Sequence, residues 1–112
     1  MIFGFCLYLC DREDLFRIAS AADRVLRAPG RLMISDSFSP MPRAKTYHHL
    51  PDVYSYKMDY RTLFNWHPDY ECMKHTIRSH AEAIDGKESY TDEQDEWMAL
   101  SILRKHHKGL TE

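Results

Sequence analysis

The chain has 112 residues, of which 44% are hydrophobic and 29% are charged, and its formal net charge at pH 7 is -2. This length predicts a single domain or part of a larger one, and the apolar fraction excludes a wholly disordered chain. Because the net charge is small and negative, we expect neither a nucleic acid nor a membrane as a partner.

The three cysteines, Cys6, Cys10 and Cys72, do not have the spacing of a disulfide framework. Cys6 lies in an apolar run, which predicts a buried, reduced thiol and therefore a reducing compartment, most simply the cytoplasm. Residues 1–9 lack a basic segment and are followed at once by acids, which argues against a secretory signal.

The first third of the chain predicts a strand, a helix and a second strand. Residues 2–9 are a continuous apolar run, which suits a strand buried on both faces. Asp11 is placed to cap a helix that ends before Pro29 and Gly30, and residues 31–37 predict another short strand. The helix is indicated by an apolar stripe at spacings of three and four, formed by Leu15, Ile18, Ala19, Ala22, Val25 and Leu26. Because this order is a βαβ unit, we expect an α/β fold with two parallel strands bridged by a helix.

Residues 38–69 predict a long loop followed by a short helix. The loop contains three prolines and the cluster Tyr47, His48 and His49. Loops this long in compact domains are usually functional or mobile. Asp59 is placed to cap the short helix.

Local patterns near the end of the chain support two interpretations. Residues 70–80 mix β-favouring residues with charges, as a half-exposed strand does. Thr91 and Gln94 match a capping box and predict a helix after them. Residues 97–103, however, form an almost unbroken apolar block that suits a central strand. Local rules alone favour the helix.

Three segments resemble class I S-adenosylmethionine-dependent methyltransferases. Residues 3–9 (FGFCLYL) and 11–15 (DREDL) look like the fourth strand of that family and the helix after it. Residues 22–36 (ADRVLRAPGRLMISD) are similar to the family's R-V-L-K-P-G-G-x-L-x-I-x-D passage, which joins that helix to the fifth strand. Residues 99–105 (ALSILRK) resemble the closing strand, which often ends in a basic pair.

The resemblance implies a partial Rossmann-like methyltransferase sheet, with two parallel strands bridged by a helix and a C-terminal antiparallel hairpin. The family's sheet has an antiparallel strand inserted near its end. That topology makes residues 70–80 and 96–104 the last two strands, and it overrides the local preference for a helix. The chain is then one domain over residues 1–112, divided into strand–helix–strand (1–37), loop and short helix (38–69) and hairpin (70–106).

The family also has features that this sequence lacks. A glycine-rich turn after its first strand approaches the cofactor, and an acid after its second strand binds the ribose. Here Gly4, Gly30, Gly86 and Gly109 are too far apart to form such a turn. We therefore expect the C-terminal half of the fold, beginning at the fourth strand. Alone, it should bind S-adenosylmethionine weakly or not at all and have no appreciable activity.

Ligands of open α/β sheets bind beyond the carboxyl ends of the parallel strands. By the resemblance, Gly4, Phe5 and Cys6 line the amino-acid moiety of the cofactor. The alternative is that Gly4 only permits close packing and that Phe5 belongs to the core. Asp36, near the end of the second strand, positions an acceptor or acts as a base, although a carboxylate there is also a common turn or cap residue.

Tyr47, His48 and His49 are the residues best suited to face the acceptor, because His and Tyr can remove a proton from a hydroxyl or an amine. The alternative is a solvated loop without a special role. No metal site is predicted, because no Cys-x-x-Cys pair occurs and no His pair has zinc spacing beside a third ligand.

Two functions follow as hypotheses. The first is a methyltransferase for an O or N atom of a small-molecule acceptor, with S-adenosylmethionine as the cofactor of the complete form. The second is a non-catalytic module. Without the first three strands of the sheet, the fourth has an unpaired apolar edge, which predicts a homodimer through residues 2–9 or binding of a complementary N-terminal half.

Overall fold

The computed structural model describes residues 1–46, 53–79 and 97–107. Within these ranges there are six strands, one α-helix and two 3₁₀ helices. In chain order they are β1 (Ile2–Gly4), the 3₁₀ helix η1 (Leu7–Leu9), α1 (Arg12–Val25), β2 (Arg31–Ser37), β3 (Arg43–Thr46), β4 (Tyr54–Lys57), the 3₁₀ helix η2 (Tyr60–Leu63), β5 (Tyr70–Ser79) and β6 (Trp97–Lys105). No helix in this part of the chain is long and apolar enough to cross a membrane.

Four strands form the main sheet, in the order β1-β2-β6-β5. β1 and β2 are parallel neighbours with α1 between them in the chain, so the predicted strand–helix–strand arrangement is confirmed. β6 is antiparallel to both of its neighbours, β2 and β5. The protein is therefore a mixed α/β fold with one parallel pair in a four-stranded sheet.

The predicted first strand is wrong beyond Gly4. Phe5 has a positive φ of 50°, which turns the chain out of the sheet, and η1 follows. Ile2 is 72% exposed, so the strand is not buried on both faces either, whereas Leu7 is buried in the core. The apolar run divides into a short strand and a 3₁₀ helix because the backbone N–H of Leu7 binds the Asp36 side chain.

α1 begins after Asp11, as predicted, but the Asp11 side chain makes no capping hydrogen bond and instead accepts the Tyr56 hydroxyl. The apolar side of α1 packs on the sheet. Leu15 and Ala22 of the predicted stripe are buried, Ile18, Ala19 and Leu26 pack partly buried against the core, and Val25 is exposed. The Lys105 ammonium group donates to the carbonyl oxygens of Asp23 and Leu26 at 2.5 and 2.9 Å. A side chain from the last strand thus satisfies carbonyl groups at the end of the helix.

Residues 38–69 contain more structure than the predicted loop and short helix. β3 and β4 pair as a separate antiparallel hairpin, with Ala44 opposite Tyr56. The sequence did not indicate β3, because its residues Arg-Ala-Lys-Thr have no apolar alternation. The short helix is present as η2, and the Asp59 carboxylate caps it by accepting the backbone N–H of Arg61.

The last two strands agree closely with the ranges that the resemblance implied. The helix that local rules favoured over residues 97–103 is wrong, because that segment is β6. β6 lies between β2 and β5, so its apolar residues are shielded by a strand on each side. The capping-box residues Thr91 and Gln94 lie outside the described residues.

One face of the main sheet packs against α1, η1 and η2, and we call it the covered face. The residues of β2 and β6 that are buried on it alternate along each strand: Leu32, Ile34, Asp36, Ala99, Ser101 and Leu103. Leu32 and Leu103 are paired in register and are completely buried. Burial of each side chain stabilises the fold by about 1.5–3 kcal/mol. Side chains of α1 and η2 belong to the same core, and Phe3 of β1 packs against it.

Candidate site at the carboxyl ends of the parallel strands

β1 and β2 end side by side. Gly4 is the register partner of Ser35, and the backbone N–H of Phe5 donates to the carbonyl oxygen of Ser35 at 2.7 Å. The segment after β1 therefore lies next to Asp36. The two places that the sequence predicted as ligand-binding, after the first strand and at the end of the second, form one group, which we call the carboxyl-edge cluster (residues 4–10 and 36).

Asp36 is the acidic residue of this cluster, and only 1% of its surface is exposed. One carboxylate oxygen accepts the backbone N–H of Leu7 and the other accepts that of Ser37, both at 2.8 Å. Burial raises the pKa of Asp36, while the N–H groups of Leu7 and Ser37, with those of Cys6 and Tyr8, favour its charged form. The carboxylate thus lies at the amino end of η1, where unpaired N–H groups stabilise an anion.

Cys6 is exposed, so the prediction of a buried thiol is wrong. The strand ends at Gly4, and Cys6 therefore lies in the turn rather than in the sheet. Partial burial and the nearby Asp36 carboxylate raise the pKa of the Cys6 thiol. Cys10, whose thiol donates to the Cys6 carbonyl oxygen at 3.3 Å, also has a raised pKa through partial burial. Neither cysteine has the lowered pKa of a reactive thiolate.

Gly4 and Phe5 do not fit the alternative in which both are only packing residues. A Cβ atom built on Gly4 has no atom within 4 Å, so the described residues leave open space beside the end of β1. Phe5 is 39% exposed and adopts a positive φ that non-glycine residues rarely adopt. The end of β1 therefore has room for a ligand to approach the backbone.

The β3–β4 hairpin stands beside this cluster. β4 packs against η1, and the Tyr56 hydroxyl donates to the Asp11 carboxylate at 3.2 Å. The Tyr60 hydroxyl of η2 donates to the carbonyl oxygen of Tyr56, and this hydrogen bond joins β4 to η2. The predicted acceptor-facing residues Tyr47, His48 and His49 follow β3 in the sequence and are outside the described residues, so their role stays a prediction.

A second polar group, which the sequence did not indicate as a site, lies on the covered face near β5. The ring of His75 contacts Ser101, with 2.7 Å between Nδ1 and Oγ, while its Nε2 is buried and has no partner among the described residues. Burial lowers the pKa of His75, the Arg61 guanidinium lowers it further, and Asp59 opposes the shift. Arg61 is held by Asp59, with 2.6 Å between Nη2 and Oδ2.

A β-bulge explains why this group was missed. Cys72 pairs with Leu103 and His75 pairs with Ser101, and both partners are buried on the covered face. Residues three apart on a regular strand lie on opposite faces, but the irregularity between Cys72 and Lys74 shifts the alternation by one. The adjacent cavity, between Asp36 and Ser101, has a volume of about 10 Å³. It is too small for a substrate.

A groove lies at the opposite end of the sheet. Its volume is about 1170 Å³, and its walls include Phe16 and Asp23 of α1, Trp66, Tyr70 and Lys105. Tyr70 begins β5 and Lys105 ends β6, so the groove is at the amino ends of β2 and β5. Its charged groups contact one another, since Asp23 accepts the Tyr70 hydroxyl at 2.7 Å and pairs with Lys105 at 3.2 Å. No sequence pattern indicated this groove.

No group of three or more His, Cys, Asp or Glu side chains suited to a metal ion occurs among the described residues. No family model, no curated protein and no solved structure matches this chain. The likeness to methyltransferases therefore depends on the residues of this chain alone, and its function is a proposal.

Proposed function

We propose that this chain is the C-terminal part of a class I S-adenosylmethionine-dependent methyltransferase that acts on an O or N atom of a small-molecule acceptor. The observation that supports this most is the strand order β1-β2-β6-β5, with β6 antiparallel between two mutually parallel strands. The resemblance to the family implies an antiparallel strand inserted near the end of a Rossmann-like sheet, and β6 has this position. The fold relationship itself remains part of the proposal.

The helix-to-strand passage gives a second, independent support. Residues 22–36 contain the end of α1, the Pro29-Gly30 turn and β2. A Cβ atom at Gly30 would clash with the Arg27 carbonyl oxygen and would lie 2.7 Å from Leu26 Cδ1. Only glycine therefore fits this turn without displacement of its neighbours, as expected if the Pro-Gly pair of the family's passage has the same role here.

The carboxyl-edge cluster fits one part of a cofactor site. The space at Gly4 and the exposed turn at Phe5 and Cys6 suit the approach of an amino-acid moiety. S-adenosylmethionine, when bound, supplies a methyl group activated by a sulfonium. No glycine-rich turn and no ribose-binding acid are present in this sequence, so we propose that the chain binds the cofactor weakly and is inactive alone.

Within this proposal, Asp36 is a positioning residue rather than a base. Both of its carboxylate oxygens accept backbone N–H groups and only 1% of its surface is exposed, so an acceptor has little access to the carboxylate. Asp36 fixes the turn that contains Phe5 and Cys6 at the end of β1. Proton removal from the acceptor is left to the predicted residues Tyr47, His48 and His49.

The alternative proposal is a non-catalytic module that forms a homodimer, or binds a complementary polypeptide, through the edge of β1. β1 is at the edge of the described sheet and Ile2 is exposed, which favours such pairing. However, β1 has three residues instead of the eight expected for residues 2–9. A ladder that short contributes little, so we prefer the first proposal.

The proposal is tested by adding S-adenosylhomocysteine to the ¹⁵N-labelled full chain and recording amide shifts up to millimolar concentration. We expect weak binding, with shifts confined to residues 4–11 and 36–38. Gly4→Val should abolish these shifts, because its side chain fills the space beside β1. Ala44→Val in the exposed β3 strand is the matched control and should leave them unchanged. Shifts confined to the groove near Trp66, or no shifts at all, would contradict the proposed site.

A further inference from the structure

The face of the main sheet opposite α1 has no helix over it among the described residues. Alternation along the strands places one set of side chains on the covered face and the next set on the other side. The side chains at the centre of this second face, which we call the open face, are aliphatic or thioether groups: Ile2, Met33, Met98, Leu100 and Ile102. The apolar part of the open face therefore spans β1, β2 and β6, and Leu100 at its centre lies between Ser35 of β2 and Thr76 of β5.

Four cations border this apolar centre on two sides, along β5 and at the end of the sheet where β2 begins. Lys74 and Arg78 are the register partners of Ile102 and Met98, and Arg31 and Arg104 are register partners of each other, so all four belong to the open face. None of them has an ion pair with a described carboxylate. Glu71, opposite Arg104 in register, is the one acid of this face in the described part of β5, and it contacts His106 at 2.7 Å.

This charge is unfavourable for the isolated sheet. Two like charges directly opposite each other on neighbouring strands destabilise the pairing, and Arg31 and Arg104 have this relationship. The local excess of positive charge also contrasts with the formal net charge of -2 for the whole chain. An apolar centre bordered by these cations is complementary to a surface with an apolar stripe beside acidic residues.

We propose that the open face binds an amphipathic helix of a partner polypeptide, whose apolar stripe covers Met33, Leu100 and Ile102 and whose acidic flanks meet the four cations. A helix has a suitable shape for this cover, because a helix packs an apolar stripe on a sheet face, as α1 does on the covered face. This inference depends on the sheet and its charges, and it holds whether or not the chain is part of a methyltransferase.

The same observations disfavour two other occupants. A second copy of the chain would bring Arg31, Lys74, Arg78 and Arg104 of one open face against the same cations of the other. An anionic membrane would meet a flat surface without aromatic anchors, because the described residues of the open face include no Trp, Tyr or Phe. A helix with acidic flanks satisfies both the shape and the charge.

The test uses the full chain and two synthetic helical peptides of about 18 residues, long enough to cross the sheet. Both peptides have the same leucine stripe, and the flanking positions are Glu in one and Lys in the other. We expect the Glu peptide to bind about tenfold or more tightly by calorimetry, with affinity that falls as salt rises. Its amide shifts should map to β2, β6 and β5, and not to residues 4–11.

Charge reversal provides the matched comparison. Lys74→Glu combined with Arg78→Glu should weaken binding of the Glu peptide by about tenfold and favour the Lys peptide instead. Arg12→Glu combined with Arg24→Glu, at exposed positions of α1, should change neither affinity. Circular dichroism checks that each variant is folded, and the comparison of the two peptides on the unaltered chain needs no variant.

Three results would overturn the proposal. The first is equal affinity for the two peptides, or shifts that map to α1 and the groove near Trp66. The second is a dimer of the free chain that is lost on reversal of Lys74 and Arg78, which would identify a second copy as the occupant. The third is sedimentation with phosphatidylglycerol vesicles through the open face without any preference for the Glu peptide, which would identify a membrane.

Discussion

The backbone N–H of Leu7 donates to the Asp36 carboxylate at 2.8 Å, across 29 positions of sequence. The second carboxylate oxygen accepts the N–H of Ser37, so a single side chain joins η1 to the end of β2. The turn at Phe5 and Cys6 lies between this bond and β1. The shape of the carboxyl-edge cluster therefore depends on Asp36.

Replacing Asp36 with alanine should lower the free energy of unfolding by about 1–3 kcal/mol, because the buried N–H groups of Leu7 and Ser37 lose their acceptor. Urea denaturation measures this loss. Asp14→Ala is the control, since Asp14 is an exposed residue of α1 whose ion pair with Arg17 is long, at 3.8 Å. A loss for Asp36→Ala no greater than for the control would show that the carboxylate does not hold η1.

The contribution of Asp36 should decrease as pH rises. Burial raises its pKa above the ordinary value of 3.8, so the folded state holds this proton more tightly than the unfolded state does. Stability from this group is complete below the unfolded pKa and is lost as pH rises through the folded pKa. The difference between wild type and Asp36→Ala in the free energy of unfolding should therefore be greatest below about pH 4 and smaller at about pH 7. A difference between wild type and variant that grows with pH would contradict a raised pKa for Asp36.

Two glycines should respond in opposite ways to alanine. Gly30→Ala should destabilise the fold by about 1–3 kcal/mol, because the new methyl group overlaps the Arg27 carbonyl oxygen and the Leu26 side chain. Gly4→Ala should be neutral or stabilising by up to about 1 kcal/mol, because its Cβ meets nothing and the unfolded chain loses freedom. Thermal melts of the two variants measure this difference. Equal losses of melting temperature would contradict either the clash at Gly30 or the open space at Gly4.

His75 should make the fold less stable in mild acid. Its pKa is lowered from the ordinary value of 6.5, mainly by burial, so the folded state disfavours the charged ring. The stability that depends on neutral His75 is complete above the unfolded pKa and is lost as pH falls below it toward the folded pKa. In the wild type the urea midpoint should fall between about pH 7 and 5, and His75→Gln should make this fall smaller. The control His67→Gln, at a more exposed position, should leave the fall unchanged. An unchanged slope for His75→Gln would contradict this assignment.

The sequence allowed prediction of the elements that have a regular pattern of their own. The stripe beginning at Leu15 and the Pro29-Gly30 stop predicted α1 and β2, because helix periodicity and turn chemistry are local properties. The strand nature of β6 needed the family resemblance, since the residues at 91–96 favour a helix locally. A strand with neighbours on both sides is stabilised by contacts that local rules do not include.

The parts that could not be predicted depend on contacts between distant residues. η1 forms where a strand was expected because Asp36 binds Leu7, and no local pattern indicates that bond. Cys72 and His75 share a face because of a bulge, which alternation alone does not predict. The place of Gly4, Phe5 and Asp36 near the carboxyl ends of β1 and β2 follows from the predicted strand–helix–strand unit. The exposure of Cys6 does not, because it results from the early end of β1.

The strand order is the observation on which the proposed function most depends, and interstrand nuclear Overhauser effects measure it directly. We predict Hα–Hα or amide contacts from Ser101 to both Ile34 and His75, which places β6 between β2 and β5. Contacts between Phe3 and Ile34 should have the pattern of parallel strands. Direct contacts between β2 and β5, or an antiparallel pattern between β1 and β2, would contradict the arrangement and remove the main support for a methyltransferase fold.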